Sequence, residues 1–297
     1  MTSLPAGAYT ALVTPFGPDG SSVDWNAFEA LVASQLEGKI TGLVPCGTTG
    51  ESPTLTDSEQ RELTRRTVSL AKGRATVVVG TGSNNTKKTI ESSKAALEAG
   101  ADGVMLVMPY YSKPSQEGLF RHIKAVASAV DCPVMLYNIM GRTGVDLAVD
   151  TLLRVLDASP NVVAIKDASG NVSYCQDLLA RAEGRILVLS GDDALAVPMM
   201  SVGARGVVSV TSNLYPRAVS EIVEDMLANR LADAMRKDKK LLPVHRALFC
   251  EPNPQPVKAA LALKGRMSDS VRLPLVSASE ASKARLRETM AAYDASL

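Results

Sequence analysis

Short apolar segments recur along this chain at nearly regular intervals, with helix-like segments between them. The centres of the five middle segments are 28, 30, 29 and 24 residues apart; they are Val78, Leu106, Leu136, Ile165 and Leu189. Strands that alternate with helices in this way predict a parallel sheet built from βα units. Eight such units predict a closed (β/α)8 barrel. The alternative is an open doubly wound sheet, which would usually carry a nucleotide fingerprint after its first strand.

The apolar runs predict eight strands. They are 8–13, 42–45, 76–79, 104–108, 134–138, 162–165, 186–189 and 206–210. Amphipathic stretches predict the helices 25–37, 57–72, 86–99 and 116–129, and Thr56 with Glu59 has the form of a capping box. From about residue 214 the pattern is wholly helical, with segments 218–228, 231–248, 255–263 and 279–292. We therefore predict a barrel over residues 1–230 and a C-terminal helical extension over residues 231–297.

Two helix-to-strand turns have the same five-residue form, in which one glycine ends a helix and a second glycine precedes the next strand. They begin at Gly100 and Gly203, and a version one residue longer begins at Gly38. The first glycine of each turn is expected to take a left-handed backbone conformation. The recurrence favours one repeated βα architecture over two unrelated domains.

Composition excludes several classes of function. With 32 basic and 31 acidic side chains, there is no electrostatic case for nucleic acid or anionic membrane as a partner. No apolar run approaches the roughly 18 residues of a membrane helix, and residues 1–8 lack the basic region of a secretory signal. Four widely spaced cysteines suit free thiols in a reducing compartment, so we expect a cytoplasmic protein. The two histidines show no ligand pattern and no nucleotide loop occurs, so we expect no zinc site and no nucleotide binding.

A lysine ends the sixth predicted strand. Because alternate residues of a strand share a face, Lys166 is expected to point inward with Val162 and Ala164. Most such lysines are ion-paired or reach solvent at the strand end. The alternative is a nucleophilic amine, because desolvation disfavours the charged ammonium form and a neutral amine can form a Schiff base with a carbonyl substrate.

Polar residues also follow the neighbouring strands, and in (β/α)8 barrels the active site lies at the carboxyl ends of the strands. Thr48 and Thr49 follow strand two and could hold a carboxylate, although an ordinary polar turn explains this loop equally well. Tyr137 ends strand five and could relay protons, although a lone tyrosine is more often a core residue. Arg142 suits carboxylate binding, although a surface role is commoner. Asp193, after strand seven, is expected to cap the next helix.

Five motifs together resemble those of the dihydrodipicolinate synthase / N-acetylneuraminate lyase family, in the family's order and over nearly the whole chain. The motifs are Gly47-Thr48-Thr49-Gly50-Glu51-Ser52, Tyr137-Asn138-x-x-Gly141-Arg142-Thr143-Gly144, Lys166-Asp167-Ala168-Ser169-Gly170, Gly191-Asp192-Asp193 and Glu251-Pro252-Asn253-Pro254-x-Pro256-Val257-Lys258. The Glu-Pro-Asn-Pro block and the Thr-Thr loop favour the synthase branch, because sialic acid lyases usually carry Ser-Thr in that loop.

The resemblance implies condensation of pyruvate with L-aspartate-4-semialdehyde in lysine biosynthesis, without metal or organic cofactor. It implies that Lys166 forms the Schiff base and that Tyr137 donates and accepts the proton. Thr48 and Tyr111 would complete a hydroxyl relay, with Tyr111 reaching in from a neighbouring subunit of a homotetramer built as a dimer of dimers.

The resemblance also implies binding roles for three residues. Thr49 would help to hold the pyruvate carboxylate, Arg142 would hold the semialdehyde carboxylate, and Gly191 would belong to the substrate-binding set. The family usually has Val-Pro where this chain has Ile139-Met140. Loss of that proline is expected to free the loop before Arg142, the residue on which the aldehyde specificity would depend.

Lysine-inhibited members of the family bind lysine at a subunit interface, and Ser52, Asn84 and Tyr110 match that effector pocket. However, Lys88 is one of three residues, with Asp57 and Gln60, that stand where inhibited members often place two histidines and a glutamate. Because Lys88 is expected to repel the ammonium group of lysine, we predict weak or absent feedback inhibition.

Two other functions remain open from the sequence. One is a pyruvate-dependent lyase or aldolase of the same family that acts on a sugar-derived 2-keto acid. The other is a catalytically silent barrel that binds a metabolite. Loss of the lysine or the tyrosine would favour the silent barrel, and this chain has both Lys166 and Tyr137.

Overall fold

The computed structural model describes residues 3–297; Met1 and Thr2, part of the N-terminal stretch discussed above, lie outside the described residues. Eight parallel strands form a closed barrel in which each strand pairs with the next and the last pairs with the first. The strands are β1 Gly7–Ala11, β2 Gly42–Val44, β3 Thr76–Gly80, β4 Gly103–Val107, β5 Val134–Asn138, β6 Val162–Asp167, β7 Leu187–Ser190 and β8 Gly206–Ser209. The predicted (β/α)8 barrel is confirmed.

Helices cover the outside of the barrel. They are α1 Trp25–Glu37, α2 Asp57–Ala71, α3 Thr86–Glu98, α4 Gln116–Ala127, α5 Met140–Thr143, α6 Val149–Ala158, α7 Val172–Ala182, α8 Ala196–Ser201, α9 Pro216–Leu227, α10 Leu231–Ala247, α11 Gln255–Leu263 and α12 Glu280–Asp294. The capping box at the start of α2 is confirmed: Thr56 Oγ1 accepts from the Glu59 amide, and the Glu59 carboxylate accepts from the Thr56 amide.

Apolar side chains form two layers, because successive residues of a strand face opposite sides. The inner layer fills the barrel and includes Tyr9, Val44, Val78, Met105, Met135, Ala164, Leu189 and Val208. The outer layer packs the other face of the strands against the helices. The barrel interior is therefore a packed core, and a substrate can reach only its end.

A bulge in β6 changes which residues share the inner face with Lys166. Val134 pairs with Val162, but the next residue, Met135, pairs with Ala164, so one residue of β6 is left without a partner. Val162 consequently packs in the outer layer, whereas Ala164 lies in the inner layer. The expectation that Val162 points the same way as Lys166 was wrong, because strict alternation fails at a bulge.

The glycine turns differ in one case from the prediction. Gly100 and Gly203 are left-handed, with φ of 94° and 116°. Gly38 has φ of −72°, and the left-handed residue is Lys39, with φ of 60°. A Cβ at Gly38 would lie 2.5 Å from the Pro216 side chain, so a close approach to α9 requires the glycine there.

Residues 231–297 are called the C-terminal extension below, following the predicted division. Its helix α10 packs on α9, which precedes the extension, and α12 packs on α10 and α11. The Nζ atom of Lys258, in α11, donates to Glu51 Oε1 at 2.7 Å and to the Thr14 carbonyl at 2.9 Å, and both charged side chains are fully buried. The extension therefore contacts the loop after β2 directly. No helix among residues 3–297 is long and apolar enough to cross a membrane.

Candidate active site

Lys166 and Tyr137 lie side by side at the carboxyl ends of β6 and β5. They are direct partners in the strand register, and Lys166 Nζ lies 4.1 Å from the centroid of the Tyr137 ring. Each residue is only 4% exposed. Within residues 3–297, no carboxylate lies within 4.0 Å of Lys166 Nζ. The amine is therefore buried beside an aromatic face without a counter-ion.

Gly191 lies against the Lys166 side chain. Its amide donates to the Asp167 carbonyl at 2.7 Å, which fixes the loop after β7 beside β6. A Cβ at position 191 would lie 3.1 Å from Lys166 Cε and 2.6 Å from Ala168 Cβ. The position thus needs glycine for close approach, and Gly191 forms one wall around the lysine.

Asp193 does not cap the next helix, contrary to expectation. The cap is Asp192, whose side chain accepts from the Ala194 amide. The buried Asp193 carboxylate instead accepts from the Ser209 hydroxyl and from the Val210 amide at 2.8 Å. It ties the loop after β7 to the end of β8, a contact between distant segments that the sequence pattern does not reveal.

Thr49 and Arg142 are connected through Asn253, a residue of the C-terminal extension. Asn253 Nδ2 donates to Thr49 Oγ1 at 2.9 Å, and Arg142 Nη2 donates to the Asn253 carbonyl at 3.2 Å. Thr49 is 2% and Asn253 6% exposed. The two predicted carboxylate-binding residues therefore share one support.

The segment before Arg142 forms a helical turn, and greater freedom of this segment through loss of the proline stays a prediction. The helix α5 covers Met140–Thr143 and ends at Gly144, which has φ of 74°. The amides of Arg142 and Thr143 both donate to the Ile139 carbonyl at 3.1 Å. These hydrogen bonds are donated by Arg142 and Thr143. They do not involve the amide of Met140, the residue that stands where the family has proline, so the turn does not require a proline there.

A cavity of about 500 Å³ opens at this end of the barrel. Its lining includes Thr48, Arg142 and Asn253, together with the effector-pocket candidates Ser52 and Tyr110. The predicted substrate mouth and most of the predicted effector pocket are therefore parts of one continuous space.

Other predicted site residues lie outside the lining of this cavity. Lys166, Tyr137, Thr49, Gly191 and the effector-pocket candidate Asn84 are among them. Tyr111 is 89% exposed and has a left-handed backbone with φ of 71°. Within residues 3–297, no side-chain hydrogen bond joins Tyr111 to another candidate residue.

Lys88 does not present a free positive charge. Its Nζ lies 2.8 Å from Asp57 Oδ1 and 2.9 Å from Asp57 Oδ2. The paired carboxylate lowers the net charge that Lys88 contributes, so repulsion of an ammonium group is weaker than the sequence suggested. Weak lysine inhibition stays a prediction, with less electrostatic support than before.

The loop after β2 is fixed by contacts between charged groups, and the sequence did not predict these contacts. Glu51 has a left-handed backbone with φ of 56°, and its carboxylate accepts from Lys258 Nζ and from the Arg272 amide. Burial lowers the pKa of Lys258, because desolvation penalises the ammonium form. The available signal was a single lysine within the apolar run 256–261.

In the part of the chain that the structure describes, no group of three or more His, Cys, Asp or Glu side chains is arranged to hold a metal ion.

Comparison with known proteins identifies the family. The model of the dihydrodipicolinate synthetase family matches residues 4–293. The 4-hydroxy-tetrahydrodipicolinate synthase of Sorangium cellulosum is 58% identical over 296 residues, covering 99% of this chain and 98% of that protein. The solved structure of the enzyme of that name from Methylacidiphilum fumariolicum SolV has a TM-score of 0.96 at 45% identity and covers 98% of this chain and 96% of that one.

A dihydrodipicolinate synthase from Acinetobacter baumannii, solved in complex with pyruvate, has a TM-score of 0.95 at 42% identity. It covers 97% of this chain and 99% of that one. The matches extend over the barrel and the C-terminal extension alike, so they include every candidate residue described above. The chain belongs to the dihydrodipicolinate synthetase family.

Proposed function

We propose that this chain is a Schiff-base-forming synthase that condenses pyruvate with L-aspartate-4-semialdehyde to give 4-hydroxy-tetrahydrodipicolinate, a step of lysine biosynthesis. The observation that carries the proposal is Lys166, a buried amine with no carboxylate within 4.0 Å in residues 3–297, at the carboxyl end of a barrel strand. A buried lysine that is kept for structure normally has a counter-ion. The names of the close relatives support the same reaction.

The chemistry begins at Lys166 Nζ. The amine attacks the ketone carbon of pyruvate, and the carbonyl oxygen leaves as water, which gives an iminium. The Tyr137 hydroxyl donates the proton with which that oxygen leaves, so Tyr137 becomes a phenolate. The iminium withdraws electrons from the adjacent methyl carbon, and the phenolate takes up the proton that this carbon loses. The resulting enamine carbon bonds to the aldehyde carbon of the second substrate, and Tyr137 donates its proton to the aldehyde oxygen. The amino group of the semialdehyde can then displace Lys166, which frees the enzyme.

Binding of two carboxylates is the second requirement. Thr49 would hold the carboxylate of pyruvate and Arg142 that of the semialdehyde, and Asn253 contacts both residues. Thr48, in the cavity lining, would join Tyr137 in a hydroxyl relay. The pyruvate in the Acinetobacter baumannii relative supports pyruvate as the first substrate. No metal or organic cofactor takes part in this scheme.

The proposal includes a homotetramer, built as a dimer of dimers, in the cytoplasm. Tyr111, 89% exposed on the isolated chain, would enter the site of a neighbouring subunit and complete the relay there. An exposed aromatic side chain on a left-handed backbone suits a contact that only a second subunit provides.

The test is pyruvate consumption by the purified protein with L-aspartate-4-semialdehyde, beside a panel of sugar aldehydes. Lys166→Ala should abolish consumption without loss of the fold, because it removes the amine that forms the iminium. The matched control is Lys94→Ala, which removes an exposed lysine from α3 and should leave the rate unchanged. Borohydride with pyruvate should add the mass of the reduced adduct to the wild type and to Lys94→Ala only.

Each other outcome identifies a different error. Consumption with a sugar aldehyde alone would keep the Schiff base and reassign the chain to the lyase reaction. An absence of adduct in the wild type would contradict the synthase and the lyase together and would leave the silent barrel. Near-normal activity of Lys166→Ala would disprove the assignment of the lysine.

A further inference from the structure

Asn253 is the one residue, among those described, that contacts both Thr49 and Arg142 by hydrogen bonds. It comes from the Glu-Pro-Asn-Pro block, and its side chain has no role in the Schiff-base scheme. The contact with Thr49 is made by the side chain and the contact with Arg142 by the main chain. Substitution of Asn253 therefore removes the first contact and keeps the second.

The direction of the hydrogen bond to Thr49 matters because a hydroxyl group has one proton to donate and two lone pairs with which to accept. Asn253 Nδ2 donates to Thr49 Oγ1. Within residues 3–297, the Thr49 hydroxyl has no protein acceptor for its own proton. That proton is thus available to an oxygen atom of a bound molecule.

The opposite orientation of the amide would remove this donor. If Asn253 Oδ1 faced Thr49, it would accept the hydroxyl proton, and Thr49 could offer a carboxylate only lone pairs. In the structure Oδ1 is buried and has no partner in residues 3–297. The side chain thus leaves a buried acceptor unpaired while it donates to Thr49.

We propose that Asn253 is a positioning residue for the first substrate: its Nδ2 holds the Thr49 hydroxyl in the donor state toward the carboxylate of the 2-keto acid. This inference rests on the proposed function, and it adds a role to the C-terminal extension that the Schiff-base scheme does not contain.

The test measures the pyruvate concentration that half-saturates adduct formation, by borohydride trapping and mass spectrometry. Asn253→Asp keeps the size of the side chain, but its carboxylate can only accept, so it captures the Thr49 proton. The half-saturating concentration should rise about ten- to a hundred-fold, the effect of losing a hydrogen bond to a charged group. The extent of trapping at saturating pyruvate should fall much less.

Thr49→Val shows whether the effect acts through the hydroxyl. We compare the fold-increase in the half-saturating pyruvate concentration that Asn253→Asp causes in two backgrounds. In the Thr49→Val background this increase should be at least ten times smaller than in the wild type, because no Thr49 hydroxyl is left for the introduced carboxylate to bind. Asn229→Asp, which adds the same charge at an exposed left-handed position, should leave the value unchanged.

Two results would overturn the inference while sparing the proposed function. The first is that the wild type forms the adduct and Asn253→Asp has the same half-saturating pyruvate concentration. The second is that the fold-increase in the double variant equals the product of the fold-increases in Asn253→Asp and Thr49→Val. That result would show that Asn253 supports the structure without influence on the Thr49 proton. Failure of the wild type to form an adduct would instead overturn the proposed function, and the role of Asn253 with it.

Discussion

Lys166 and Lys258 both have almost no exposed surface, and they differ in how their charge is accommodated. Lys258 contacts Glu51, the Thr14 carbonyl and the Phe16 ring, so the positive charge of its ammonium group is balanced by these neighbours. Lys166 has the face of Tyr137 and no carboxylate within residues 3–297. Lys258 therefore has its charge balanced within the fold, and Lys166 is the lysine for which we propose a chemical role.

Gly191 provides a prediction at the same scale. Gly191→Ala should slow adduct formation at least tenfold, because the new Cβ would lie 3.1 Å from Lys166 Cε and displace the amine. The rate of borohydride-trapped adduct formation measures this. Gly141→Ala is the matched control, since a Cβ there meets no atom within 4 Å and should leave the rate unchanged. Equal rates for all three proteins would show that Lys166 does not depend on Gly191.

The sequence predicted some of these residues and could not predict others. Lys166 and Tyr137 were found because each ends a strand, and neighbouring strands of a barrel bring such ends together. The bond between Asn253 and Thr49 joins residues 204 apart in the chain, and no local pattern encodes it. Asp193 was misassigned for the same reason, because its partners Ser209 and Val210 lie at the end of β8 and directly after it.

At the scale of elements, the sequence predicted periodic features well and local departures from them poorly. The strands and helices follow from hydrophobic alternation, and the observed bounds mostly agree within two residues. The bulge in β6 and the turn α5 were missed, because both depend on hydrogen bonds between particular residues.

Helix α2 is attached to the C-terminal extension by Glu59, which also completes its capping box. Arg272 Nη1 and Nη2 donate to the Glu59 carboxylate at 2.8 and 2.6 Å, and this pairing lowers the pKa of Glu59 to about 2. A carboxylate with a lowered pKa in the folded state stabilises the fold above its unfolded pKa. This stabilisation is lost as the pH falls through about 2.

We therefore expect Glu59→Gln to lower the free energy of unfolding by roughly 1–3 kcal/mol at pH 7. The difference from wild type should narrow as the pH falls below about 4.5, because wild-type Glu59 then becomes protonated in the unfolded state first. Urea unfolding at pH 7, 5 and 3 measures the difference. Glu288→Gln, on α12 and without an ion pair in the described residues, should show neither effect; a constant difference at all three pH values would contradict the assignment.

At the scale of the whole molecule, the proposed entry of Tyr111 into a neighbouring site can be tested by mixing two variants. Tyr111→Phe and Lys166→Ala should each be nearly inactive alone. Co-refolded in equal amounts, they should regain about a quarter of the wild-type activity, because half of the dimers are hybrids and each hybrid has one complete site.

The control mixture combines Tyr137→Phe with Lys166→Ala. Tyr137 and Lys166 come from the same chain, so a hybrid of these two variants has no complete site and should stay inactive. No recovery in the Tyr111 mixture, although hybrids are isolated by tags, would show that Tyr111 serves its own subunit or none. Recovery in the control would show that the mixing assay does not report on shared sites.

The attachment of the loop after β2 to the C-terminal extension has a consequence for how the protein is made. On the ribosome, Thr49 and Glu51 are synthesised more than two hundred residues before Asn253 and Lys258, which hold them in the finished fold. A nascent chain thus contains Lys166 and Tyr137 before it contains the residues that hold Thr49 and Glu51. Under the proposed function, the ability to capture a 2-keto acid is therefore acquired late in synthesis, after the barrel strands have all emerged.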